Sequence, residues 1–133
     1  MKRFGLPASE RVKKRNDFEQ IYTSGRTIFS SDKKLRAAFT VEKKTEKAVV
    51  KIAAAVGKKS GSAVWRNRVK RLLRESYRQN KEILAAACLE RELLIKIVFS
   101  PNLISQKKNR VLKLKDLMPG VIDILLKIKS TLQ

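Results

Sequence analysis

Between Trp65 and Lys81 the chain places Asn67, Lys70, Arg71, Arg74, Arg78 and Lys81 at positions that share one side of a helix. At about 100° of rotation per residue the six fall within an arc of roughly 100°, and Arg66 and Arg68 lie on its two borders. The chemistry this pattern suits is the holding of phosphates. A guanidinium grips two oxygens with its planar fork, a lysine adds a point charge, and an amide such as Asn67 reaches a sugar hydroxyl or a base edge. A solvated helix face normally interleaves acids with bases, yet Glu75 is the only acid between Trp65 and Lys81. Like charges on neighbouring turns repel, and a row of phosphates laid against them removes that cost. Just upstream, Lys58 and Lys59 sit in a turn bracketed by Gly57 and Gly61, so backbone N–H groups at the helix start and two ammonium groups form an anion site. The glycine spacing is not that of a P-loop.

Other chemistry is excluded by what the chain lacks. There is no histidine and a single cysteine, which rules out a histidine relay, a Cys/His zinc site and an internal disulfide. Cys88 lies in the apolar run from Ile83 to Leu89 and reads as a buried thiol. Lysine and arginine total 32 against 12 acids, a formal charge of +20. That imbalance points to a densely negative partner, nucleic acid first, although a merely soluble basic protein or a membrane-surface binder would share it. No signal-peptide pattern and no uncharged run of about 18 residues occurs, from which a cytoplasmic location is expected.

A single domain must position the basic face. Residues 1 to 13 are basic and broken by Gly5 and Pro7, an expected arm that is poorly ordered unless something holds it. Phe18, Ile21 and Tyr22 recur at helical spacing between Arg15 and Ser24, with Gly25 as a stop. Three strands are expected over Thr27–Ser30, Leu35–Val41 and Ala48–Val56, the charged stretch from Glu42 to Lys47 forming a turn. The long helix runs from about Ser62 to Ala87, with Trp65, Val69, Leu72, Leu73, Ser76, Tyr77, Ile83 and Leu84 as its core face. Leu93–Phe99 reads as a last strand and Lys115–Thr131 as a final amphipathic helix, with Pro119 in its first turn.

The stretch Lys58-Lys59-Ser60-Gly61-Ser62-Ala63-Val64-Trp65-Arg66-Asn67-Arg68-Val69-Lys70-Arg71-Leu72-Leu73-Arg74-Glu75 resembles the signature of the bacterial ribonuclease P protein component. Its Arg66-Asn67-Arg68 core, followed by Lys70-Arg71 and Arg74, is specific. The resemblance extends to Phe18, Ile21, Tyr22 and Gly25 and covers the chain from about Val12 to Phe99. Trp65 is bulkier than the pattern's usual residue, Ser62 stands where Asn is common and Gly57 where Ser is frequent, and none of these removes a charge.

The resemblance implies a single compact α/β (α+β) domain, ribosomal-protein-like, with a mostly antiparallel four-stranded sheet, three helices on one side, and a left-handed β-α-β crossover. It implies a protein subunit that pairs with a catalytic RNA and assists endonucleolytic removal of the 5′ leader from precursor tRNA. It also implies broader substrate binding and a lower magnesium demand. Carried over by position, Lys58, Lys59, Arg66, Asn67, Arg68, Lys70, Arg71, Arg74 and Arg78 face the catalytic RNA, while Phe18, Tyr22 and Phe39 line a cleft for the single-stranded leader. Base stacking on aromatic faces is sequence-tolerant, which suits a variable leader. The same Phe18–Tyr22 stripe also fits an ordinary apolar core. Scattered carboxylates and the missing histidine leave the chain without catalytic residues, so the chemistry falls to the RNA with Mg2+ held mainly by RNA and substrate. Neither a membrane nor DNA is an expected partner, since strands rather than a partner helix precede the basic helix. A ribosomal or RNA-chaperone protein and an independent basic nuclease are the rival readings.

Overall fold

The computed structural model describes residues 7–43 and 48–132. Among these are four α-helices and four strands. In chain order they are α1 (Arg15–Ser24), β1 (Arg26–Phe29), β2 (Leu35–Lys43), β3 (Val49–Ala54), α2 (Ala63–Asn80), α3 (Glu82–Glu90), β4 (Leu93–Pro101) and α4 (Leu114–Thr131). The sheet order is β1-β2-β4-β3, with β1–β2 and β2–β4 antiparallel and β3–β4 parallel. A parallel pair cannot be closed by a hairpin, so α2 and α3 carry the chain across from β3 to β4.

Alternation along the strands separates two faces. Leu35, Ala37 and Phe39 of β2, Val50 and Ile52 of β3, and Ile95, Ile97 and Phe99 of β4 point into the main core with residues of α2, α3 and α4. The opposite face carries Ala38, Thr40, Ala53, Lys96 and Val98. There α1 packs through Ile21 in a small cluster with Val12 and Val98, flanked by Phe18, Ala38, Ala53 and Ala55. The helices are therefore not all on one side: small and apolar residues on the second face of β2, β3 and β4 give α1 a seat of its own.

Other expectations need correction. The pattern read as one helix from Ser62 to Ala87 divides at Lys81. There the Asn80 side chain donates to the Ser76 carbonyl at 2.8 Å, and backbone bonds restart from the Lys81 carbonyl to Leu84 and Ala85. Helix α4 begins at Leu114, which puts Pro119 inside it and not in its first turn. The proline removes a bond to the Lys115 carbonyl, and both residues are exposed, so water can satisfy that oxygen. Of the arm, residues 1–6 and the turn residues 44–47 lie outside the described residues. Residues 7–12 are held by the domain itself: Val12 is buried, its N–H donates to Ile52 at 2.9 Å, and Arg11 bridges to the open edge of β3.

Candidate nucleic-acid interface

Helix α2 starts where the Ser62 hydroxyl accepts from the Trp65 N–H at 3.2 Å, a serine N-cap. Its inner face is as expected: Trp65, Val69, Leu73, Ser76 and Tyr77 are buried, Leu84 of α3 is buried too, and Leu72 and Ile83 are half-buried. This anchoring fixes the direction of the outer face. Asn67, Arg71 and Arg74 are exposed and Lys70 is half-buried, and none of the four makes a hydrogen bond or ion pair among the described residues. Burial of its stem, and then the charges of Arg11 and Arg71, pull the Arg74 guanidinium below its ordinary affinity for a proton. An anion placed there would relieve that repulsion.

Arg66, Arg68, Arg78 and Lys81 are engaged within the chain. Arg66 Nε reaches the Ser62 carbonyl at 3.4 Å. The Arg68 fork donates twice to the Leu112 carbonyl, at 3.0 and 2.7 Å. Arg78 grips Glu75 with both arms, at 2.9 and 2.5 Å, which lowers the carboxyl's affinity for a proton and raises that of the guanidinium. Lys81 pairs with Glu10 at 3.3 Å. The stripe is thus open from Asn67 to Arg74 and locally neutralised from Arg78 to Lys81. Lys58 and Lys59 are exposed in a short 3-10 turn ahead of α2. Two backbone donors of the helix start are already taken there, Trp65 N–H by the Ser62 hydroxyl and Ser62 N–H by Gln106 Oε1 at 2.7 Å.

The second candidate region lies at the free end of α1. Tyr22, 56% exposed, lines a depression of about 360 Å³ with Arg36, Ala55, Val56, Gly57, Ser60, Ser100 and Pro101. Phe18, one turn earlier, is half-buried and packs against the small cluster of Val12, Ile21 and Val98. Phe39 does not belong to the cleft. It points to the opposite face of the sheet, is 1% exposed, and the Arg26 guanidinium covers its ring at 5.0 Å from the centroid. A base has no access to that ring.

Residues missed in the sequence are Arg36 at the mouth of the depression, Arg11 beside Arg74, and Lys96. The last is 8% exposed beneath α1, where its ammonium meets Asp17 at 3.0 Å, Gln20 at 3.3 Å and Glu42 at 3.8 Å. Only the outward alternation of Arg36 against Leu35 and Ala37 offered a signal. Cys88 is buried as expected, its thiol donating to the Leu93 carbonyl at 2.8 Å. Among the described residues no three His, Cys, Asp or Glu converge to hold a metal ion, and no helix is long and apolar enough to cross a membrane.

Fold and surface define a small basic α/β protein with a helix face whose cations are open from Asn67 to Arg74 and a shallow depression beside Tyr22. The chain belongs to the Ribonuclease P family, whose model matches residues 6–119. It is 39% identical over 88 residues to the ribonuclease P protein component of Syntrophus aciditrophicus, an alignment covering 65% of this chain and 69% of that one. Two solved structures share the fold at 22% identity. The RNase P protein of Thermotoga maritima matches with a TM-score of 0.69 over 89% of this chain and 96% of its own, and that of Staphylococcus aureus with 0.65 over 93% and 98%. Family membership places the chain in tRNA 5′ processing, as a protein component of a ribonucleoprotein.

Proposed function

We propose that this chain binds the catalytic RNA of ribonuclease P through the outer face of α2 and receives the single-stranded 5′ leader of precursor tRNA at the α1 depression. The observation that carries this reading is the open run of Asn67, Lys70, Arg71 and Arg74, held outward by a buried inner face and paired with no acid. Arg71 and Arg74 supply bidentate contacts to backbone oxygens, Lys70 a point charge, and Asn67 a donor and acceptor for a 2′-hydroxyl or base edge. In the cleft the Tyr22 ring offers a face on which a base stacks, and Arg36 neutralises the phosphates alongside. Phe18 sets the seat of α1 and so the position of Tyr22.

Phosphodiester cleavage belongs to the RNA and the magnesium its phosphates hold. The contribution of this protein is charge neutralisation and placement by its basic side chains, which raises substrate affinity and lowers the magnesium required. The test combines the purified chain with bacterial catalytic RNA and a 5′-extended precursor tRNA at low magnesium. Stimulated leader removal is expected, with little stimulation by a Lys70→Ala/Arg71→Ala/Arg74→Ala variant. Absence of stimulation, or cleavage by the protein alone, defeats the reading.

A further inference from the structure

Residues 102–113, between β4 and α4, form a second basic segment laid against the start of α2. Across 57–68 and 102–113 there are eight lysines and arginines and no acid, so nothing within the two segments neutralises the patch they form together. Five hydrogen bonds clip them. Ser62 N–H donates to Gln106 Oε1 at 2.7 Å and Gln106 N–H to the Ser60 carbonyl at 2.7 Å. The Trp65 indole N–H donates to the Asn109 carbonyl at 3.0 Å, and the Arg68 fork closes on Leu112. Gly61 makes this approach possible, because a Cβ there would lie 2.7 Å from the Trp65 ring and 2.8 Å from Gln106 Cβ. The clip holds Lys107, Lys108 and Arg110 exposed, on a loop anchored to the turn that presents Lys58 and Lys59.

We infer that this clipped loop is a second element of the catalytic-RNA interface, its Lys107, Lys108 and Arg110 holding the phosphate backbone of structured RNA, with Arg68 and Trp65 as positioning residues. The inference rests on the α2 reading above, since continuity with the open face of α2 is what assigns the loop to the catalytic RNA and not to the leader. Like charges gathered on a tethered loop raise the energy of the free protein, and they repel one another less once a polyanion lies across them. A loop already fixed in place loses little freedom on binding. Arg68, read from the sequence as an RNA contact, also spends two of its donors on orienting the loop.

The test measures affinity for catalytic RNA as a function of salt, for the full chain and three variants. Lys107→Ala/Lys108→Ala/Arg110→Ala is expected to bind about 10- to 100-fold more weakly near physiological salt, with the log–log salt slope reduced by about 2. Arg68→Lys keeps the charge but not the fork, so a loss of about one unit of slope marks a positioning role; an unchanged slope marks Arg68 as a direct contact. The Lys70→Ala/Arg71→Ala/Arg74→Ala variant is the control: if it too binds normally, the α2 reading fails. If only that control loses affinity, the loop lies off the interface and the inference is overturned. Loss confined to leader-bearing substrate on the assembled enzyme also overturns it. Should the triple alanine variant fold poorly by thermal melting, Gln at the same positions gives the same readout.

Discussion

On one face of the sheet Leu35, Ala37, Phe39, Ile52, Ile95, Ile97 and Phe99 interlock with α2, α3 and α4 in a core of almost wholly apolar side chains. On the other face α1 rests through Ile21 on Val12 and Val98, and beside them a lysine is buried among Asp17, Gln20 and Glu42. The first face supplies stability and, by locking the inner side of α2, aims its basic outer side. The second holds a helix loosely enough in apolar terms to leave Tyr22 exposed beside a depression. Rigid support for a charged surface and a shallow, partly polar depression beside an exposed tyrosine are different features, and one mixed sheet carries both.

The difference can be attacked by substitution, beginning with the thick face. Leu73→Ala removes a fully buried side chain and should cost about 3–5 kcal/mol, measured by chemical denaturation, with loss of all RNA binding following from unfolding. The Lys70→Ala/Arg71→Ala/Arg74→Ala variant should weaken catalytic-RNA binding about 100-fold near physiological salt while leaving the melting temperature nearly unchanged. Under α1, Lys96→Ala should cost about 1–2 kcal/mol, because its partners Asp17 and Glu42 keep access to water. It should also loosen α1 selectively, read as faster amide exchange in 15–24 than in 63–80. Equal exchange in both helices would erase the distinction between the faces.

The smallest effect is on pH dependence. Burial pushes the Cys88 thiol above its ordinary value. The unfolded thiol therefore ionises first, from about pH 8.5, while the folded one keeps its proton, so stability is full below that pH and declines as pH rises. Tyr77, raised by burial as well, continues the decline at higher pH. Thermal melts from pH 7 to 10 should show this fall, and Cys88→Ala should flatten its lower part.

Helix α2 was legible because a 3.6-residue period separates buried from charged positions whatever the tertiary context. Strand positions were legible within a few residues for the same reason at a period of two. What periodicity cannot supply is which sheet face meets which helix. Phe39 shares a face with Leu35 and Ala37, and nothing in the sequence says that α1 lies on the other. The second role of Arg68 was equally hidden, since its carbonyl partner is 44 residues downstream. The break at Lys81 falls between the buried positions Tyr77 and Leu84, whose helical spacing continues across it, so apolar periodicity does not record it.

The central claim is that structured RNA meets α2 and single strand meets α1. The most direct measurement is the affinity of assembled enzyme for precursor tRNA with and without its 5′ leader, in wild type and Tyr22→Ala. The account predicts that wild type binds the leader-bearing substrate more tightly, and that Tyr22→Ala loses most of this advantage while holding leaderless substrate and catalytic RNA as before. An undiminished leader advantage in Tyr22→Ala would contradict it.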